Sequence, residues 1–210
     1  MRRLVVLCRH GNTFNAGEKV VTVGAGQDLV LTAVGKAQAV EVGHALKQKG
    51  LSPQRIVAGP LHRTREFAEI VAELVGVSSG IAIDSRLTEL DYGVWGGLSD
   101  DEIRQQWGDD VLRRWQSDGV RPKGVVFTPS EQQLDIEARA MLGELALLDG
   151  VTLVVTSNGR LREYARILSG VSSRVRTGHL CLLEVLPSGP WKVLCWDCEP
   201  AQLPNTHPMS

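Results

Sequence analysis

At 210 residues, with 43% hydrophobic and 22% charged side chains and a formal net charge of −1, the chain has the size and balance of one ordinary globular domain. The near-zero charge offers no basic surface for nucleic acid or an anionic membrane, so any anion site must be local. The apolar runs are far too short to span a bilayer, and the one after Arg2-Arg3 meets His10 too soon for a signal peptide, which points to the cytoplasm.

Leu4 to Cys8 is an unbroken apolar run, the pattern of a strand buried on both faces. Arg9-His10-Gly11-Asn12-Thr13 follows at once, where an open α/β sheet places its ligands. His10 can act as a nucleophile, Arg9 can hold an anion by a two-pronged hydrogen bond, and Gly11 suits close approach of backbone to ligand. A charged loop after a strand is the plain alternative. Residues 14–31 read as a loop near the pocket; Gly24-Ala25-Gly26 lacks the third glycine and the helix of a dinucleotide fingerprint. Thr32 then caps a helix with Gly35, Ala39, Val42 and Leu46 on one face, ended by Gly50.

Ile56-Val57-Ala58 is a short strand broken by Gly59-Pro60, and residues 61–75 form a helix burying Phe67, Ile70, Val71 and Leu74. Arg63 falls in its first turn, a poor place for a cation unless an anion binds there too. Arg63, Arg65 or His62 facing solvent is the alternative. Ile81-Ala82-Ile83 is another strand. Leu87 to Leu98 is a loop bearing carboxylates, aromatics and three glycines. Ser99 with Glu102 makes a capping box for a helix through Trp107, and Arg113-Arg114-Trp115 lies in a further helical segment. Residues 117–130 read as a mobile connection or lid beside the pocket. Ser130 opens a helix facing inward with Leu134, Ala138, Met141, Leu145 and Leu148.

Val151 to Thr156 is the strongest strand signal, followed by Ser157-Asn158-Gly159-Arg160 and a helix. Leu180 to Val185 and Trp191 to Trp196, joined by Pro187-Ser188-Gly189-Pro190, read as a hairpin. Cys8 and Cys181 sit in apolar runs as small hydrophobes. Cys195-Trp-Asp-Cys198 has no second C-x-x-C and follows a late strand, so it argues weakly for metal or redox use. No metal site, cofactor or internal repeat is expected. The chain divides into one domain over 1–200 and a poorly ordered tail over 201–210. Strand ends at His10, Arg63 and Asn158 would converge on one crevice suited to an anion.

Several segments resemble the histidine phosphatase superfamily, also called phosphoglycerate mutase-like. Arg9-His10-Gly11-Asn12-Thr13 resembles its R-H-G-x-[ST]. Asp28-Leu29-Val30-Leu31-Thr32 with Gly35 and Gln38-Ala39 resembles D-x-x-L-T-x-x-G-x-x-Q-A. Gly59-Pro60-Leu61-His62-Arg63-Thr64 resembles S-P-L-x-R-A, and Leu87-Thr88-Glu89 with Gly93-Val94-Trp95-Gly96-Gly97-Leu98 resembles L-x-E followed by G-x-W-E-G. The likeness runs in family order from residue 4 to about 186. It implies a single-domain three-layer α/β/α sandwich, with a mostly parallel central sheet and helices on both faces.

The resemblance also implies a metal-independent phosphatase acting on a small phosphorylated metabolite through a phosphohistidine at His10. Arg9 and Arg63 would clamp the phosphoryl oxygens and Glu89 would serve as acid and then base. Thr13 and Asn15 would be lesser polar contacts. The alternative for Glu89 is a loop carboxylate held by backbone amides. The pattern fails at two places: Asn158 stands where the second histidine belongs, and Gly96 replaces the glutamate of W-E-G. A neutral amide in place of a charged donor forfeits about 1–2 kcal/mol, roughly ten-fold in rate. Arg160 or His179 are the candidates to restore the charge. A weak or inactive phosphate-binding protein is therefore the second expectation, and a phosphoglycerate mutase a lesser one. Small-molecule binding, self-association left open, and no nucleic-acid or membrane partner complete the expectations.

Overall fold

Every residue from Leu4 to Cys8 is buried in β1 (Arg3–Arg9), which lies inside a six-stranded sheet. The computed structural model describes residues 2–186, 189 and 191–205. The other strands are β2 (Arg55–Ala58), β3 (Ile81–Ile83), β4 (Gly150–Thr156), β5 (Leu180–Val185) and β6 (Trp191–Cys198). Their order is β3-β2-β4-β1-β5-β6. β1, β2, β3 and β4 run parallel, while β5 joins β1 antiparallel and β6 pairs antiparallel with β5 as the expected hairpin. Residues 187, 188 and 190 of its connection lie outside the described residues.

Alternation along β1 separates two cores. Leu4, Val6 and Cys8 face α1 (Ala33–Gln48) and α2 (His62–Val75), meeting Val42, Leu46, Phe67 and Val71. Val5 and Leu7 face α5 (Glu131–Leu145) and α6 (Asn158–Leu168), meeting Met141, Leu145, Leu161 and Tyr164. Side chains leave a strand on alternate faces, so one apolar run builds both layers. The three-layer α/β/α expectation holds. The expected caps are present: Thr32 accepts from Gly35 N–H, Ser130 from Gln133 N–H, and Ser99 with Glu102 forms the capping box.

A third cluster lies outside these layers. Tyr92, Trp95, Trp115 and Phe127 meet edge to face, gathered from the 85–98 loop, α4 (Asp109–Asp118) and the 119–130 segment, with Ile103 of α3 (Asp100–Trp107). This corrects the reading of 117–130 as a lid. Val125 and Phe127 are buried, Thr128 pairs with Asp91, and Arg121 donates to the Phe127 and Pro129 carbonyls. Its Gly, Pro and Ser content hid two apolar anchors whose partners are distant in sequence.

Two further expectations change. The chain stays packed beyond residue 200: Pro200–Gln202 forms a 3-10 turn and Leu203, 1% exposed, enters the main core. Residues 206–210 lie outside the described residues. Cys195 and Cys198 are bonded as a disulfide, while Cys8 and Cys181 are free and buried. Among the described residues no helix is long and apolar enough to cross a membrane.

Candidate active site

β2, β4 and β1 are neighbours in the sheet, so their carboxyl ends open on one place. A cavity of about 520 Å³ lies there, lined by Arg9, His10, Thr13, Asn15, Arg63, Glu89 and Asn158 among others. All seven candidate residues therefore share one hollow.

His10 follows β1, with its N–H on the Thr156 carbonyl at 3.0 Å, so β4 fixes where the imidazole begins. Its Nδ1 lies 2.8 Å from the Gly11 carbonyl oxygen. A carbonyl only accepts, so Nδ1 carries the proton and Nε2 is left with its lone pair. Burial, then the positive charges of Arg9 and Arg63, hold the His10 pKa well below the ordinary histidine value. The ring is neutral at neutral pH, and its Nε2 lone pair is chemically able to act as a nucleophile. Gly11 serves a different purpose from the expected one. A Cβ on it would lie 2.4 Å from the Gly35 oxygen, and one on Gly35 would lie 2.3 Å from the Asn12 oxygen. The two glycines let α1 press against the loop that carries His10; the close approach is to a helix.

Arg9 donates Nη1 to the Val175 carbonyl at 2.7 Å, and Arg63 donates Nη1 to the Gln27 carbonyl at 2.7 Å. Each keeps a buried Nε without a partner. Arg63 is 1% exposed, and no carboxylate pairs with either guanidinium among the described residues. The charges of Glu89 on both, and of Asp28 on Arg63, act from beyond ion-pair distance, so buried cations with unused donors suit an incoming anion. The N-terminus of α2 is not that anion's site, because Asp28 already accepts the His62 N–H at 2.5 Å. Asp28 answers the helix end while Arg63 turns its head to the cavity.

Glu89, 7% exposed, is a loop carboxylate held by backbone amides, as its alternative reading expects, and it also faces the cavity. Its carboxylate accepts the Leu90 N–H at 2.8 Å and the Gly159 N–H at 3.3 Å, and it still lines the cavity. Tyr92 completes its setting. Burial, then the Glu89 charge, raises the Tyr92 pKa, so the phenol stays protonated and hydrogen-bonds the carboxylate. Gly159 makes room for them: a Cβ there would lie 2.1 Å from Glu89 Oε1 and 2.8 Å from the Tyr92 hydroxyl.

Asn158 opens α6, and its Oδ1 accepts the Val175 N–H at 2.8 Å, which leaves its NH₂ as the group for the cavity. Neither candidate for restoring charge reaches that cavity. Arg160 binds Glu137 and the Thr88 carbonyl, and His179 lies on Asp197 beside a different hollow. Arg162 and Arg174 line the cavity instead. Arg162 was legible, since it follows Asn158 by four residues and shares its helical face, whereas Arg160 at two residues does not. Arg174 and Tyr92 sit on aperiodic segments that carry no such signal. Asn15 lines the cavity with its amide engaged by Glu18 at 2.8 Å. Residues 20–23 also line it, as expected of that loop, whereas residues 117–121 line a neighbouring hollow.

The model of the histidine phosphatase superfamily (branch 1) matches residues 5–189. The chain belongs to this superfamily. Among curated relatives, a 2,3-bisphosphoglycerate-dependent phosphoglycerate mutase of Bartonella quintana (strain Toulouse) is 32% identical over 180 residues, 82% of this chain and 84% of the relative. One from Methylobacterium sp. (strain 4-46) is 31% identical, covering 85% and 86%. Among solved structures, a mycobacterial glucosyl-3-phosphoglycerate phosphatase superposes with TM-score 0.75 at 21% identity, covering 94% of this chain and 99% of that one. Bacillus stearothermophilus YhfR superposes at 0.72 with 24% identity, covering 92% and 96%. These structures share the histidine phosphatase fold.

Proposed function

We propose that the protein is a metal-independent phosphomonoesterase that hydrolyses a small phosphorylated metabolite through a phosphohistidine at His10. The observation that carries this is the Nδ1 contact with Gly11, which leaves Nε2 unprotonated beside two buried guanidinium groups with unused donors. Nε2 attacks phosphorus as the ester P–O bond breaks, and Glu89, which takes up a proton once the anionic substrate lies beside it, gives that proton to the leaving oxygen. Water then attacks the phosphorus of phosphohistidine, Glu89 takes a proton from it, and the P–N bond breaks to release phosphate and free imidazole. Arg9, Arg63 and the Asn158 amide hold the non-bridging oxygens, where charge must be met throughout.

Asn158 favours a second reading, a phosphate-binding protein of low or no turnover. Its amide can donate to a phosphoryl oxygen but brings no charge. The curated relatives are named as mutases, which adds phosphoryl transfer between hydroxyls as an assay arm.

The test is release of phosphate from a panel of phosphate esters by wild type, His10→Ala and Asn158→His. Hydrolysis by wild type, its loss in His10→Ala, and a gain of about ten-fold in Asn158→His are expected. A histidine at 158 can accept the Val175 N–H through Nδ1 and offer Nε2–H to the cavity. If wild type and Asn158→His both bind phosphate yet turn over nothing, the binding reading takes its place.

A further inference from the structure

The two residues enclosed by Cys195 and Cys198 grip one segment of chain near both its ends. Trp196 Nε1 donates to the Ser172 carbonyl at 2.8 Å. Asp197 Oδ1 accepts the Arg176 N–H at 2.8 Å, and its Oδ2 accepts Arg176 Nε at 3.1 Å. The Asp197 carbonyl accepts from His179 Nδ1 at 3.0 Å. Residues 172–179, held in this way, form a strap along the phosphoryl site. The Val175 carbonyl takes Arg9 Nη1, and the Val175 N–H holds Asn158 Oδ1. The Gly178 N–H reaches the Arg9 and His10 carbonyls at 3.1 and 3.2 Å, and Thr177 donates its hydroxyl to Asn12 Oδ1. The strap sets Arg9, His10 and Asn158, and Trp196 with Asp197 sets the strap.

A distortion of β6 gives Asp197 this reach. Cys198 pairs with Leu180 and Cys195 with Leu182, so β6 uses one more residue than β5 across the stretch. Asp197 takes up the excess in left-handed backbone, with φ 53°, a region that aspartate enters at some cost. The Cys195–Cys198 disulfide closes across the bulge and limits the freedom of both enclosed residues. Access separates this pair from the other two cysteines. β6 ends the sheet order, so one of its edges is open, and Cys195 and Cys198 are only half-buried. Cys8 and Cys181 are sealed in the core. Thiol chemistry needs a sulfur that can be approached, which β6 offers.

We propose that Cys195–Cys198 is a thiol–disulfide exchange site whose reaction partner is a dithiol and whose state regulates the phosphoryl site. The proposal rests on the reading of Arg9, His10 and Asn158 as part of that site. A thiolate of the dithiol attacks one Sγ, the S–S bond breaks and a mixed disulfide forms. The second thiol of the dithiol then displaces the protein sulfur. The products are two protein thiols and one oxidised dithiol, two electrons and two protons having passed to the protein. Without the cross-link Asp197 can leave the left-handed region, Arg176 loses its anchor, and the Val175 carbonyl no longer fixes Arg9. Reduction therefore weakens phosphate binding and turnover, and oxidation restores both.

The test compares protein oxidised with oxidised glutathione and protein reduced with dithiothreitol. Two readouts are taken, hydrolysis of a chromogenic phosphate ester and calorimetric affinity for inorganic phosphate, while alkylation and mass spectrometry count the thiols at 195 and 198. Reduction should lower kcat/KM and phosphate affinity by about ten-fold, reversibly. The double variant Cys195→Ser, Cys198→Ser should behave as reduced protein and ignore dithiothreitol, which excludes Cys8 and Cys181 as the source. Asp197→Ala should match reduced protein in both states although its disulfide still forms. Equal activity and equal phosphate affinity in the two wild-type states overturn the switch and leave the phosphatase reading standing. A response that survives in the double variant or in Asp197→Ala also overturns it, as do free thiols at 195 and 198 after oxidation. If no ester is turned over but phosphate affinity follows the state of the disulfide, the switch stands and the phosphohistidine reading falls.

Discussion

At the scale of single residues, the protonation of His10 is decided by one carbonyl, by burial and by two cations. The Gly11 oxygen fixes the tautomer, while burial and then Arg9 and Arg63 keep the ring neutral. An unfolded histidine titrates near pH ~6.5, so the folded ring binds its proton only at lower pH. The sign follows by linkage: on acidification the unfolded chain takes up this proton first, and stability is lost as pH falls below about 6.5 toward the folded pKa. In nitrogen-15 spectra of labelled histidine at about pH 6.5, His10 should appear neutral and protonated on Nδ1. Bound phosphate, offsetting the two arginines, should shift its pKa upward. A half-protonated ring, or the opposite tautomer, contradicts the account.

Gly159 provides a second check at this scale. Gly159→Ala places a methyl group against Glu89 Oε1 and the Tyr92 hydroxyl, so the carboxylate must move. A fall in kcat of about ten-fold or more, with KM less affected, is expected from a displaced acid. An unchanged kcat would place the acid elsewhere. His10, Arg9 and Arg63 were legible because each ends or follows a strand or opens a helix, whereas Glu89, in a loop, was legible only through the L-x-E resemblance. Tyr92 and Arg174 were not, since their place depends on loop paths that no period reports.

At the scale of elements, the loop that carries His10 is set by its contact with α1. Gly11 and Gly35 face each other with backbone so close that neither tolerates a Cβ without movement. Gly35→Ala should lower stability by about 1–3 kcal/mol or more in denaturant unfolding, because the clash is with backbone rather than a flexible side chain. A neutral result would mean that α1 can retreat freely. In the sequence both glycines are visible but their partnership is not, and Gly11 therefore read as a ligand contact. The 117–130 segment failed for the same reason: Phe127 gains its meaning from Tyr92, Trp95 and Trp115, which are far away along the chain.

At the scale of the whole molecule, adjacency of β2, β4 and β1 turns three separate strand ends into one site. The sheet also explains how a chain of net charge −1 can hold four arginines around a single hollow. Their charges are concentrated where three buried strands end, while other arginines, such as Arg86 and Arg104, are engaged by carboxylates at the surface. The strands and helices were readable from apolar runs and helix periods, and their three-layer order from the family resemblance. The aromatic cluster that lines the cavity with Tyr92, Trp95 and Trp115 was not, because its parts meet only once the chain has folded.

The central claim is that His10 carries the phosphoryl group during turnover. The direct measurement is mass spectrometry of the enzyme quenched at alkaline pH, which preserves phosphohistidine, during reaction with a phosphate ester. A phosphoryl adduct on the peptide bearing His10, absent from His10→Ala, is the expected result. Sustained hydrolysis with no adduct at His10, or undiminished hydrolysis by His10→Ala, contradicts it.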